Sequence, residues 1–115
     1  MLLPNTVLTV LRGCPRSHAR QGWEGLTGAI LAAVAAKPEP VVFLLWGVYA
    51  QEQARGHGVD PSRHIVLAST HPSPRSARRA TRSVPAFVGS APFRRANEEV
   101  KARGLPCIEW DLTAP

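Results

Sequence analysis

At 115 residues the chain is long enough for one modest domain and not for several. Hydrophobic residues make up 44% of it and the mean hydropathy is −0.08, which excludes a disordered chain and a membrane-embedded one. A net charge of +6 and a pI near 10.7 leave two readings, a polyanionic partner such as nucleic acid or a merely solvated basic surface.

The first element in chain order is the apolar run LLPNTVLTV (2–10), predicted as a buried strand. Pro4 and Asn5 interrupt it and no charged region precedes it, so it does not read as a signal peptide. Asn5 is polar in an apolar setting. It either braces a neighbouring loop through a structural hydrogen bond or offers its acceptor and two donors to a ligand's polar edge. The turn-like RGCPRSHARQG (12–22) follows, with His18 read as a surface residue. A helix is predicted over GWEGLTGAILAAVAA (22–36), where Trp23, Leu26, Ile30, Leu31 and Val34 recur at helical spacing as its core face. Glu24 suits the positive end of that helix dipole.

PVVFLLWG (40–47) reads as a second buried strand, VYAQEQARG (48–56) as a short helix ended by Gly56, and HIVLAST (64–70) as a third strand. The apolar stretch PVVFLLWGVYA is far shorter than the roughly 18 residues that cross a bilayer. PFRRANEEVKARG (92–104) has proline at its start and glycine at its end, as a helix should. Strand alternating with helix is the βαβ pattern of an α/β fold with a mainly parallel sheet. Three strands make a narrow sheet, and the chain opens inside the first of them, so it is expected to be part of a larger α/β/α sandwich, truncated at its N-terminal side. Cys14 and Cys107 form no CxxC pair and the four histidines are scattered, so no metal site and no cofactor is expected, and the compartment is read as reducing and cytoplasmic.

The third predicted strand runs into HPSPRSARRATR (71–82). Pro72 and Pro74 fix φ near −65° and remove backbone donors, so this stretch is a shaped loop. Seven arginines and no Asp or Glu lie between Pro61 and Asn97. Sites in open α/β sheets form beyond the carboxyl ends of the strands, which is where His71 falls. It is either a loop-packing histidine or a group that faces a ligand. Ser73 and Ser76 can cap a helix or donate to phosphate oxygens. Trp23 and Trp46 read as core, and Asp60, Glu98 and Glu99 as solvated. No carboxylate near these motifs is a compelling candidate for orienting water.

Taken in order, LLPNTVLTV, RSHARQGWE, PVVFLLWGVYAQ, RHIVLASTHPSPRSA, FVGSAPFRRANE and PCIEWDL resemble the second half of a family 1 uracil-DNA glycosylase, over nearly the whole chain. That resemblance implies a bacterial-like, cytoplasmic, monomeric enzyme of base-excision repair that flips uracil out of DNA and hydrolyses its N-glycosidic bond, with uracil-containing DNA as partner and no membrane. By the same resemblance Asn5 pairs with the uracil edge, His71 hydrogen-bonds the uracil carbonyl as the catalytic group, and Ser73, Arg75, Ser76, Arg78 and Arg79 contact DNA. Position 75 is where the family usually carries a leucine that wedges into the gap left by the flipped base; here an arginine's aliphatic stem stands in that place. The family's GQDPYH loop, whose aspartate positions the attacking water, its thymine-excluding tyrosine and its uracil-stacking phenylalanine have no counterpart in this chain. Residues 78–86 are also more numerous than the resemblance leads one to expect. The implied domain organisation is residues 1–115 as a C-terminal half whose N-terminal half is missing, inactive alone. The alternative is a degenerate or split remnant that binds DNA weakly and cuts nothing.

Overall fold

The computed structural model describes residues 1–113. Its elements in order are α1 (Trp23–Ala35), β1 (Val42–Trp46), α2 (Val48–Gly56), β2 (Ile65–Ser69) and α3 (Pro92–Ala102). The two strands pair in parallel with Val42 opposite Ile65 and Trp46 opposite Ser69, so α2 is the crossover of a βαβ unit. Alternation then divides the sheet into two faces. Val42, Leu44, Ile65 and Leu67 share one face and pack against Ala96 and Val100 of α3, with Leu105 and Trp110 closing the edge. Phe43 points the other way, toward the side that Ala54 of α2 helps to bury. Helix, sheet and helix thus form the three layers expected of an α/β/α sandwich. No helix among the described residues is long and apolar enough to cross a membrane.

The turn into β2 is held by His64, which is 1% exposed. Its Nε2 donates to the Ala35 carbonyl at the end of α1 (2.8 Å), and its Nδ1 accepts the Val41 amide at the start of β1 (3.1 Å). One imidazole therefore joins three elements. Asn97 plays a similar part on the far side: its amide donates to the Ile108 carbonyl (3.0 Å) and accepts the Ile108 N–H (2.8 Å), tying the C-terminal segment to α3.

Two expectations are corrected. Residues 2–10 form no strand: Leu2, Leu3, Leu8 and Val10 are exposed, and the only bridge nearby among the described residues joins Leu11 to Cys14. Apolarity predicts burial, but a strand also needs a neighbour with a free edge, and Pro4 has no N–H to give one. The sheet among the described residues is two-stranded. The helix over 23–35 is present, but it buries Thr27, Gly28 and Ala35, while Leu26 and Ile30 stand exposed. The cause is local. The His57 ring lies against Gly28, where a Cβ would clash with its Nε2, so the glycine side of α1 is the one packed against the rest of the chain.

Candidate functional site

β1 and β2 end side by side, and the backbone just beyond them builds the site. The Gly47 amide donates to the Ser69 carbonyl (2.9 Å), which extends the parallel ladder by one rung past Trp46. Gly47 then turns sharply into α2 at φ +94° and ψ 162°, a conformation reserved in practice for glycine. A Cβ on it would also meet the His71 Cβ at 3.3 Å. His71 is thereby seated directly over the end of β1. In the Gly47→Ala variant we expect a loss of about 1–3 kcal/mol, read as a lower urea midpoint, together with a displaced His71.

Thr70 organises the loop that carries His71. Its amide donates to the Pro85 carbonyl (3.0 Å), its hydroxyl donates to the Ser76 carbonyl (3.0 Å), and the same oxygen accepts the Phe87 amide (3.1 Å). The two limbs of the 71–87 excursion are thus bound to one buried threonine. Nothing in the sequence singles Thr70 out, because β-branched residues end strands for many reasons. Gly47 was equally silent. The sequence does place it directly after an apolar run, where a sharp turn would require glycine.

His71 itself is exposed. Its Nδ1 accepts the Ser73 amide (3.0 Å), and its carbonyl accepts the Ser76 hydroxyl (2.9 Å). With Nδ1 acting as acceptor, the ring proton sits on Nε2, which is left as a donor. The Ser73 carbonyl accepts the amides of Ser76 and Ala77, and the two hydroxyls lie 3.2 Å apart. These serines close a turn and do not cap a helix. Arg75, Arg78, Arg79 and Arg82 are all exposed and form no ion pair among the described residues, in contrast to Arg94, which pairs with Glu98. The loop therefore presents one neutral donor and four uncompensated guanidiniums.

Asn5 makes no hydrogen bond to this cluster. It is exposed and has no hydrogen-bond partner among the described residues. The segment around it is held to α1, where the Thr6 carbonyl accepts the Thr27 hydroxyl (2.8 Å) and the Thr9 hydroxyl accepts the Trp23 indole N–H (2.6 Å). His18, read as surface, is half-buried with its Nδ1 2.8 Å from the Thr9 hydroxyl. Glu24 accepts the Arg20 amide (2.7 Å), and that bond chiefly holds its carboxyl below the usual range. The Ser62 hydrogen bonds do the same for Asp60. Both carboxylates thus brace local turns, and neither hydrogen-bonds His71. Among the described residues no cluster of His, Cys, Asp and Glu could hold a metal ion.

No protein-family model matches the chain. It is similar to a uracil-DNA glycosylase of Brevibacillus brevis, 46% identical over 112 residues that make up 97% of this chain and 45% of that protein. Against the uracil-DNA glycosylase of Bordetella pertussis the identity is 49% over 110 residues, 96% of this chain and 42% of that one. The crystal structure of mimivirus uracil-DNA glycosylase superposes with a TM-score of 0.76 at 30% identity, over 90% of this chain and 40% of that one. The chain spans about half the length of the curated relatives it matches.

Proposed function

We propose that this chain, a homologue of the uracil-DNA glycosylases, supplies the leaving-group and phosphate-binding side of a site that hydrolyses the N-glycosidic bond of uracil in DNA during base-excision repair. The observation that carries the reading is the His71 ring, seated over Gly47 with Nδ1 satisfied by the Ser73 amide and Nε2 left to donate. In such a reaction water adds to the sugar's anomeric carbon, and the base departs with the bonding electron pair. The negative charge gathers on the uracil carbonyl, where a preorganised neutral donor stabilises it without reorganising. Asn5 would read the uracil edge: cytosine reverses a donor and an acceptor there and would leave the amide mismatched. Ser73, Ser76, Arg75, Arg78 and Arg79 would hold the flanking phosphates, with the Arg75 stem occupying the space of the flipped base.

The same reading assigns the water-positioning carboxylate and the aromatic group that stacks on uracil to residues outside this chain. Alone, it binds DNA and does not cut it. The experiment pairs equilibrium binding of a uracil-containing duplex, across a salt series, with a uracil-release assay in the presence of a chelator. Three phosphate-facing arginines give a slope of log K against log salt of about −2.7, and Arg79→Ala brings it roughly one closer to zero. A flat salt response would return these arginines to the solvated surface. Uracil release above background by the chain alone would overturn the division of labour.

A further inference from the structure

We infer that the tip of the 77–88 excursion grips DNA phosphates beyond those flanking the uracil, with Arg82 as the contacting group. This rests on the phosphate-facing reading of Arg75, Arg78 and Arg79 above, in which Arg82 has no part. Residues 78–86 are more numerous than the family resemblance leads one to expect, so that resemblance gives Arg82 no role either.

The tip is a built turn. The Thr81 amide donates to the Val84 carbonyl (2.9 Å), and the Thr81 hydroxyl oxygen accepts the amides of Ser83 (3.3 Å) and Val84 (3.1 Å). Arg82 occupies a central position within this ring of bonds. Pro85 follows with a fixed φ, and its carbonyl accepts the Thr70 amide (3.0 Å), which mounts the turn on the end of β2. Residues 78–83 are all exposed. A backbone ordered in advance lowers the entropic cost of any contact its side chain makes.

Charge identifies the partner. No Asp or Glu lies between Pro61 and Asn97, and Arg82 forms no ion pair among the described residues. Arg78 and Arg79 stand on the same excursion, so the tip enlarges a cluster of like charges that repel one another until anions approach. A guanidinium takes phosphate oxygens in a two-pronged fork. Reach then decides which phosphates. The Val88 amide closes the base of the excursion on the Ala77 carbonyl (2.8 Å). From Ala77 the chain to Arg82 spans at most about 17 Å, and a duplex rises about 3.4 Å per base pair. The tip is thus long enough to touch phosphates several base pairs from the uracil.

The test measures binding of the full chain to hairpin duplexes of about 6 and about 16 base pairs, each with one uracil, across a salt series. The slope of log K against log salt should be about −2.7 on the short hairpin, which holds the three site arginines, and about −3.6 on the long one. Arg82→Ala should bring the long-hairpin slope about 0.9 closer to zero and leave the short-hairpin slope alone, whereas Arg79→Ala should shift both. Arg82→Lys keeps the charge and should keep the slope. The Arg82 side chain makes no hydrogen bond among the described residues, so these substitutions leave the fold intact. If Arg82→Ala changes neither slope, or changes both equally, the inference is overturned and the phosphate reading of the other arginines stands. A flat salt response of the unsubstituted chain on both hairpins overturns the two together.

Discussion

In a complete glycosylase carrying this loop, His71→Ala slows single-turnover uracil release by about a hundredfold or more while DNA affinity stays nearly unchanged. The size follows from when the hydrogen bond matters. Before cleavage the uracil carbonyl is a neutral acceptor and the bond is weak. As the glycosidic bond breaks, negative charge builds on that oxygen and the same Nε2 donor becomes far more stabilising, so the loss falls on the chemical step. The position of the donor depends on three supports already described: the Ser73 amide on Nδ1, the Ser76 hydroxyl on the His71 carbonyl, and the absence of a side chain at Gly47. Arg79→Ala should do the reverse, weakening DNA binding at low salt and leaving the rate of the bound complex alone. Should His71→Ala change affinity and spare the single-turnover rate, the ring would not face the leaving base.

The second large effect is on stability. His64→Ala is expected to cost about 3 kcal/mol, measured as a shift in urea midpoint at constant slope. The substitution removes a side chain that is 1% exposed and leaves the Val41 amide and Ala35 carbonyl without partners. It also removes the edge-on contact with Phe43, whose ring centroid lies 5.4 Å away. His64→Phe separates these contributions. It refills the volume but restores neither hydrogen bond, so it should recover only part of the loss. A cost under about 1 kcal/mol for alanine would mean that water replaces the imidazole and that the junction of α1, β1 and β2 does not depend on it.

How far the fold is legible in the sequence differs by element. VVFLLW, bounded by Pro40 and Gly47, and HIVLAS, which runs into Thr70 and His71, are short and apolar, and both are strands within a residue or two of their predicted limits. Pro92 and Gly104 bracket α3 because each suits one end of a helix and neither suits its interior. LLPNTVLTV is just as apolar and yet pairs with no strand among the described residues. Periodicity reports that a segment should be buried, never against what, and among the described residues no strand offers this run an edge. The face of α1 failed for a related reason, since a helix apolar on every side offers no contrast from which to choose. At the site, HPSP announced a shaped loop and the structure has one. Thr70, Gly47 and His64 were invisible because their importance is relational: each satisfies backbone groups distant in sequence, and no local pattern records that.

The excursion from Ala77 to Val88 is closed at its base. The Val88 amide donates to the Ala77 carbonyl (2.8 Å), and Thr81 and Val84 close a tight turn at its tip. A loop clamped in this way behaves as a cassette. Residues 78–84, outside the stretch that Thr70 binds through Pro85 and Phe87, can be inserted, deleted or exchanged over evolutionary time without moving the two anchor points, and lengthening the tip carries only a slowly growing entropic cost. Arg78, Arg79 and Arg82 ride on the cassette while His71 lies outside it. Positive charge on this face can therefore be raised or lowered by editing one surface segment while His71 keeps its supports at Gly47, Ser73 and Ser76. Under the proposed function, grip and chemistry are then free to evolve at different rates.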